Sequence, residues 1–203
     1  MNRLFIVFII CLLLLNCTKK ESPKKNIPYI ISQNNKKRIS GKDTIPPHPP
    51  IPGWLFYGTN TFIIDKNSRV YYFQRNEIGH ICRNWGKNDT IPYFIDLQPK
   101  DLIEIPTKTL YDFIKLNYKD NFRNITFIAS KLDTLNSKTY FDLVDAIQLF
   151  EKEGDSYFIR RTTQEEDTVL KHKKNNLYYN SKNIKWNNER ITFPFVKPIL
   201  NHK

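Results

Sequence analysis

A strand, an amphipathic helix and a second strand follow one another in the middle of this 203-residue chain. Residues 124–130 (NITFIAS) and 157–160 (YFIR) are short apolar runs typical of buried strands. Between them Ser137 can cap a helix that ends at Gly154. Its apolar side chains recur at helical spacing, namely Tyr140, Leu143, Val144, Ile147 and Phe150. This order predicts a βαβ unit, which requires two parallel strands in one sheet.

A hairpin is predicted before this unit. Residues 61–64 and 69–73 are β-branched and aromatic runs, and Asp65-Lys-Asn-Ser68 between them is a turn sequence. Two weaker strand candidates are residues 93–97 and the Phe193-Pro-Phe195 segment, where proline fits an edge strand.

Two further helices are predicted on either side of the βαβ unit. Thr107 is expected to cap the first, whose apolar positions are Leu110, Phe113, Ile114 and Tyr118. Thr163-Gln-Glu-Glu166 is a capping box that begins the second.

These elements together predict an α+β fold, in which a mixed β-sheet has two to three helices packed on one face. The order hairpin, helix, strand, helix, strand is similar to the periplasmic domain of ExbD/TolR-type transport proteins. Residues 61–74 resemble its opening hairpin and residues 124–163 its central βαβ unit. That family is anchored by a transmembrane helix with an acidic residue, which this N-terminus lacks, so the resemblance does not imply proton-driven energy coupling.

The N-terminus resembles an export and lipidation signal. Arg3 is followed by a 12-residue apolar run, Leu4 to Leu15, which is too short to span a bilayer. The following Leu13-Leu-Leu-Asn-Cys17 resembles the lipobox of bacterial lipoproteins, whose cysteine carries acyl chains such as palmitate, although that family prefers a small residue where Asn16 stands. The alternative is an uncleaved anchor with an incidental cysteine.

The domain organisation follows from composition. Residues 1–16 are assigned to a signal peptide, residues 17–50 to a lipidated, basic, proline-rich tether, and residues 51–203 to a single α+β domain. Few apolar side chains and five prolines between positions 46 and 52 favour a tether in extended polyproline conformation. A proline-rich docking peptide is the alternative for this stretch.

The positive charge lies at the two ends of the chain. The formal net charge is +12, of which residues 18–50 carry +6 and residues 171–203 carry +7, whereas residues 51–170 carry −2. A basic segment beside a lipid anchor is attracted to anionic headgroups. The expected partners are therefore the membrane and a protein of the cell envelope, and nucleic acid is not expected.

No catalytic or metal-binding motif is present. His80 and Cys82 could form a thiol–imidazole pair, but a packed cysteine is favoured because no third group orients it. The acidic pairs Asp142/Asp145 and Glu165/Glu166 are interpreted as solvated helix faces or caps. No catalytic residue, metal site or cofactor is predicted.

Asp-Thr followed by an aliphatic residue occurs four times, more than the one or fewer that ordinary composition gives. This pattern resembles the O-glycosylation acceptor sequence of some exported bacterial proteins. Thr44 and Thr90 are the candidates because they fall in predicted loops, whereas Thr168 is expected inside a helix. Asp-Thr is also a common turn and helix-start sequence, so both interpretations stay open.

The combined prediction is a membrane-anchored lipoprotein that faces the periplasm or the cell surface, with the outer membrane favoured over the inner. It is expected to act as a non-catalytic binding or accessory module. An immunity-type lipoprotein that neutralises a toxin and an envelope hydrolase are the alternatives; the hydrolase would require a concave pocket with convergent polar groups.

Overall fold

The computed structural model describes residues 26–34, 56–75, 90–117, 125–150 and 156–193. Several predicted features lie outside these residues, namely the signal segment, Cys17, Thr44, His80, Cys82, Tyr118, Asn124 and Gly154. The described strands are β1 (Tyr29–Ile30), β2 (Asn60–Ile64), β3 (Val70–Gln74), β4 (Ile103–Ile105), β5 (Ile125–Ser130), β6 (Thr134–Leu135) and β7 (Ser156–Arg161). The described helices are α1 (Leu110–Asn117), α2 (Lys138–Phe150) and α3 (Gln164–Lys174).

Five strands form one mixed sheet in the order β4-β3-β2-β5-β7. The pairs β4–β3 and β3–β2 are antiparallel, whereas β2–β5 and β5–β7 are parallel. This confirms the predicted α+β class with a mixed sheet, a hairpin (β2–β3) and a βαβ unit (β5–α2–β7). Strand β4 has no counterpart in the sequence prediction.

The turn of the hairpin is stabilised by Asp65. Its Oδ1 atom accepts hydrogen bonds from the backbone N–H groups of Asn67 (2.8 Å) and Arg69 (2.9 Å). Ser68 takes a φ of 60°, a left-handed conformation that the short turn requires. The residue types that predict this turn therefore act through local side-chain-to-backbone bonds.

Helix α2 begins where the sequence predicts. The Ser137 Oγ atom accepts a hydrogen bond from the Tyr140 N–H (3.2 Å). The N–H groups of the first turn have no acceptor within the helix, and this bond satisfies one of them. The apolar stripe faces the sheet: Tyr140, Leu143 and Ile147 are buried, and Val144 and Phe150 are partly buried against the same cluster.

The two faces of the sheet are covered differently. Helices α1 and α2 pack on one face over a cluster that includes Phe62, Ile128 and Ile147. Helix α3 packs on the other face through Val169 and Leu170, against residues such as Ile63 and Tyr71. Two helices thus share one face, within the predicted two to three, and the third covers the opposite face.

The predicted strand over residues 93–97 is wrong. Only an isolated bridge between Tyr93 and Thr192 is present there. The N–H groups of Ile95 and Leu97 donate to the side chain of Glu165 instead of to a neighbouring strand. No strand is formed by Phe193, and the rest of that candidate segment lies outside the described residues.

The predicted cap at Thr107 is also wrong. Thr107–Thr109 form a 3₁₀ turn preceded by Pro106, which has no side chain capable of capping. Pro106 has an extended backbone (φ −60°, ψ 132°) directly before the turn, and its carbonyl accepts from the Thr109 N–H (2.9 Å). Helix α1 continues from this turn and buries Leu110 and Ile114.

A short N-terminal segment belongs to the fold. Strand β1 pairs antiparallel with β6, and Ile31, which is 1% exposed, joins the core cluster under α1 and α2. Ser32 Oγ donates to Asp133 Oδ2 at 2.7 Å. These residues lie inside the predicted tether 17–50, so the prediction of a tether without core contacts is wrong here, because consecutive Tyr29, Ile30 and Ile31 supply enough apolar surface to pack.

Candidate functional site

Helix α3 begins with the capping box that the sequence predicts. The Thr163 Oγ1 atom accepts from the Glu166 N–H (3.1 Å), and the Glu166 carboxylate accepts from the Thr163 N–H (2.7 Å). The carboxylate also lies at the positive end of the helix dipole. Local sequence thus fixes where α3 starts and where Glu166 points.

Glu166 also binds the end of strand β7. Arg160 donates Nη1–H to Glu166 Oε2 and Nη2–H to Glu166 Oε1, each at 2.7 Å. The Arg160 guanidinium lies 5.1 Å from the centre of the Phe127 ring and donates its Nε–H to the Phe56 carbonyl. The bidentate geometry and the aromatic contact are those that suit a guanidinium in a low-dielectric site.

Glu165 binds the loop that precedes β4. Its Oε1 atom accepts from the Leu97 N–H (2.7 Å), and its Oε2 atom accepts from the Ile95 N–H (3.0 Å) and the Tyr57 hydroxyl (3.1 Å). Burial is the main reason why the pKa of Glu165 is raised to about 7, although these three hydrogen bonds act against it. Burial, reinforced by Glu165, also raises the pKa of Tyr57 well above its ordinary value.

Gly58 allows the Tyr57 turn to lie against strand β5. It has a φ of +55°, and a Cβ atom there would clash with the Ile125 carbonyl and the Phe127 ring. Tyr57 thereby reaches both Thr163 and Glu165. The turn, β7 and α3 are held together by one polar network.

This network is enclosed by the fold. Glu165 and Glu166 are both 0% exposed, so the prediction that they form a solvated face is wrong, whereas the capping role of Glu166 is confirmed. Every carboxylate oxygen of the pair has a donor from the protein. The arrangement holds three segments in register, and both carboxylates are closed off from solvent.

An open groove lies between α1 and α2 on the outer side of that helix layer. It encloses about 370 Å³ and is lined by Thr107, Lys108, Leu110, Tyr111, Lys138, Asp142, Asp145, Ala146 and Leu149. Tyr111 is 46% exposed and Leu149 is 62% exposed. Lys138 and Asp142 form an ion pair of 2.6 Å at its rim. Exposed apolar side chains beside charged ones are found together in protein-binding surfaces.

A second surface lies on the α3 side of the sheet. The Phe94 ring contacts the rings of Trp186 (5.3 Å between centroids) and Phe193 (5.0 Å). Three exposed cations, Lys182, Lys185 and Arg190, belong to the same loop as Trp186. We call these six residues the aromatic–basic patch.

The candidate glycosylation residues are placed differently. Thr90 is exposed in a turn, so a transferase could reach it, whereas Thr44 lies outside the described residues. Thr168 lies inside α3, as the sequence predicts, and its hydroxyl donates to the Gln164 carbonyl (2.8 Å). Neither Thr90 nor Thr168 is among the residues that line the groove.

The described part of the chain holds no group of three or more His, Cys, Asp or Glu residues arranged to bind a metal ion. Within the same residues, no helix has the length and apolarity needed to cross a membrane.

Comparisons with protein-family models, with curated proteins and with solved structures find no match to this chain.

Proposed function

We propose that this chain is a lipid-anchored module of the cell envelope that binds a protein partner in the groove between α1 and α2 and catalyses no reaction. The anchor is Cys17, as the lipobox-like sequence indicates. The groove is the main observation in support of this proposal, because it combines exposed apolar side chains with charged ones.

The side chains of the groove suit a peptide segment or a protein surface. Leu149 and Tyr111 stand on facing helices, and the Tyr111 ring packs against Phe150 at 5.1 Å between centroids. This contact holds the tyrosine in place while the residue stays 46% exposed. A partner that inserts an apolar side chain between them would bury both, and such anchors carry most of the energy in protein interfaces.

The buried network supports a binding role in a different way. The buried carboxylates of Glu165 and Glu166 join β7, α3 and the loop before β4. Their position under α3 leaves the helix layer on the opposite face of the sheet free to carry the recognition surface.

Site-specific photocross-linking tests this proposal. A photoreactive residue at Leu149 in the full chain, expressed in its own envelope, should give a discrete cross-linked product, identified by mass spectrometry. The product should disappear when Tyr111→Ala is added. The matched position is Leu116, which is 82% exposed on α1 and is not among the groove residues. Equal cross-linking from Leu116, or a product unaffected by Tyr111→Ala, would contradict the groove assignment.

A further inference from the structure

We infer that the aromatic–basic patch rests on the anionic phospholipid headgroups of the membrane that carries the anchor. This inference rests on the proposed function in one respect, namely that the chain is held at a membrane by its N-terminus. It adds that the folded domain makes its own contact with the lipid surface.

The chemistry of the patch fits a lipid interface. Phe193 is 41% exposed, and Phe94 and Trp186 are partly exposed beside it. The Trp186 indole N–H donates to the Ser181 carbonyl (2.9 Å), so the ring is held in one orientation. Aromatic side chains concentrate at the headgroup level of membranes.

The charges of the patch have the matching sign. Lys182, Lys185 and Arg190 are exposed and are opposed within this loop by one acidic residue, Glu189. Over residues 171–193 the chain carries six Lys and Arg residues against that single carboxylate. Each cation near an anionic bilayer increases binding about fivefold.

The patch is close to the place where the N-terminal segment joins the fold. Asp133 binds Ser32 of that segment and, at 2.7 Å, the Arg161 guanidinium at the end of β7. Three residues further along, the carboxamide of Gln164 lies against the backbone of Asn187, and in the orientation that satisfies both groups it donates to the Asn187 carbonyl (3.1 Å) and accepts from the Asn187 N–H (3.0 Å). The N-terminal segment and the Trp186 loop therefore both lie beside the β7–α3 connection.

The connection to the anchor is short. Because β1 is part of the fold, only 11 residues separate Cys17 from Tyr29, and even a fully extended chain of that length spans about 40 Å. With an acylated Cys17, Tyr29 stays within about 40 Å of the membrane that carries the anchor. This favours lipid over a nucleic acid or an acidic protein as the occupant.

Fluorescence of Trp186 tests the inference. The full chain, with Trp54→Phe and Trp85→Phe so that Trp186 is the sole tryptophan, is purified from membranes and reconstituted into vesicles with brominated acyl chains. Contact with the bilayer quenches tryptophan. Quenching is expected in vesicles that contain phosphatidylglycerol and not in pure phosphatidylcholine. It should weaken when NaCl rises from about 0.1 M to about 1 M, which shortens the screening length from about 10 Å to about 3 Å.

Paired variants provide the control. Lys182→Gln with Lys185→Gln should lower the docking constant about 25-fold, because two cations near the surface are lost. Lys66→Gln with Lys115→Gln removes the same charge from exposed positions in the β2–β3 turn and on α1 and should leave the quenching unchanged. Equal effects of the two pairs would overturn the inference, because they would show a dependence on net charge alone.

Two other outcomes would also overturn it. One is unquenched Trp186 in anionic vesicles while circular dichroism shows a folded domain. The other is displacement of Trp186 from lipid by a single-stranded oligonucleotide or an acidic peptide at micromolar concentration, which would identify a different occupant. The intact mass of the same sample reports whether Cys17 is acylated, so failure of the anchor is separable from failure of the patch.

Discussion

The Arg160 guanidinium and the Glu166 carboxylate are joined by two parallel hydrogen bonds of 2.7 Å, with side chains that are 4% and 0% exposed. They stand six residues apart, on either side of the β7–α3 connection. Their pairing joins the edge of the sheet to the helix that covers its second face. Each member is tolerated in the interior because the other is present.

Glu166→Gln should therefore destabilise the domain by about 3 to 5 kcal/mol, since it retains the shape of the side chain and leaves a buried guanidinium without its counter-charge. Denaturant unfolding measures the change. Asp142→Asn is the control, because it breaks the exposed ion pair with Lys138 and should cost less than about 1 kcal/mol. Similar losses in both variants would contradict the importance of the buried pair.

Stability should depend on pH through Glu165. Folding raises its pKa from 4.5 to about 7, so between these values the folded state keeps a proton that the unfolded state has lost. The contribution of Glu165 to stability is therefore largest below about pH 4.5, falls as the pH rises to 7 and then levels off, by about 2 to 4 kcal/mol in all. Unfolding measured from pH 4.5 to 8 should show this fall in the wild type and lack it in Glu165→Gln. A parallel pH profile for the two proteins would count against the raised pKa.

The apolar stripe of α2 should carry much of the core energy. Ile147 is 0% exposed, and Ile147→Ala should cost about 2 to 5 kcal/mol through lost burial and the cavity that remains. Leu149→Ala, two residues along the same helix and 62% exposed, should change the free energy of unfolding little. If both substitutions have the same effect, α2 does not face the sheet as described.

The N-terminal segment should be part of the cooperative unit. Ile31→Ala should cost about 2 to 5 kcal/mol, because Ile31 is 1% exposed in the core cluster. Ile27→Ala, from the same segment and 70% exposed, is the matched control. Limited proteolysis should also cut the Ile31→Ala protein earlier between residues 26 and 34. Indistinguishable behaviour of the two variants would restore the interpretation of residues 17–50 as a simple tether.

Acylation of Cys17 remains a prediction of the sequence. The Cys17→Ala protein should move from the detergent-extracted membrane fraction to the soluble fraction, since a single change removes the lipid. Immunoblotting of the two fractions measures the shift. A wild-type protein that is already soluble after export would show that the lipobox-like sequence does not function as one.

Local sequence was sufficient where a few neighbouring residues determine the structure. Asp65 forms its turn, Ser137 caps α2, and Thr163 with Glu166 begins α3, each through bonds to backbone groups at most four residues away. The predicted cap at Thr107 is wrong because Thr107 already belongs to the 3₁₀ turn, and the residue before that turn is Pro106.

Long-range contacts could not be predicted in the same way. The donors that Glu165 receives from Ile95 and Leu97 come from about 70 residues away, and they decide that residues 93–97 are not a strand. Ile31 joins the core only because β6 offers an edge more than 100 residues later. The groove and the aromatic–basic patch likewise combine residues from separate parts of the chain. For the patch, the excess of Lys and Arg near the C-terminus was the one feature of the sequence that indicated a basic surface.

The docking of β1 has a quantitative consequence for any surface of the domain that faces the membrane. If Cys17 is anchored, the domain explores at most a hemisphere of about 40 Å radius, and one molecule in that volume corresponds to an effective concentration of about 10 mM. A contact with a dissociation constant near 1 mM, too weak to retain a free protein, would then be occupied about nine-tenths of the time. Weak recognition of lipid by this domain would be sufficient to orient it, and to keep the groove on the opposite face of the sheet turned away from the bilayer.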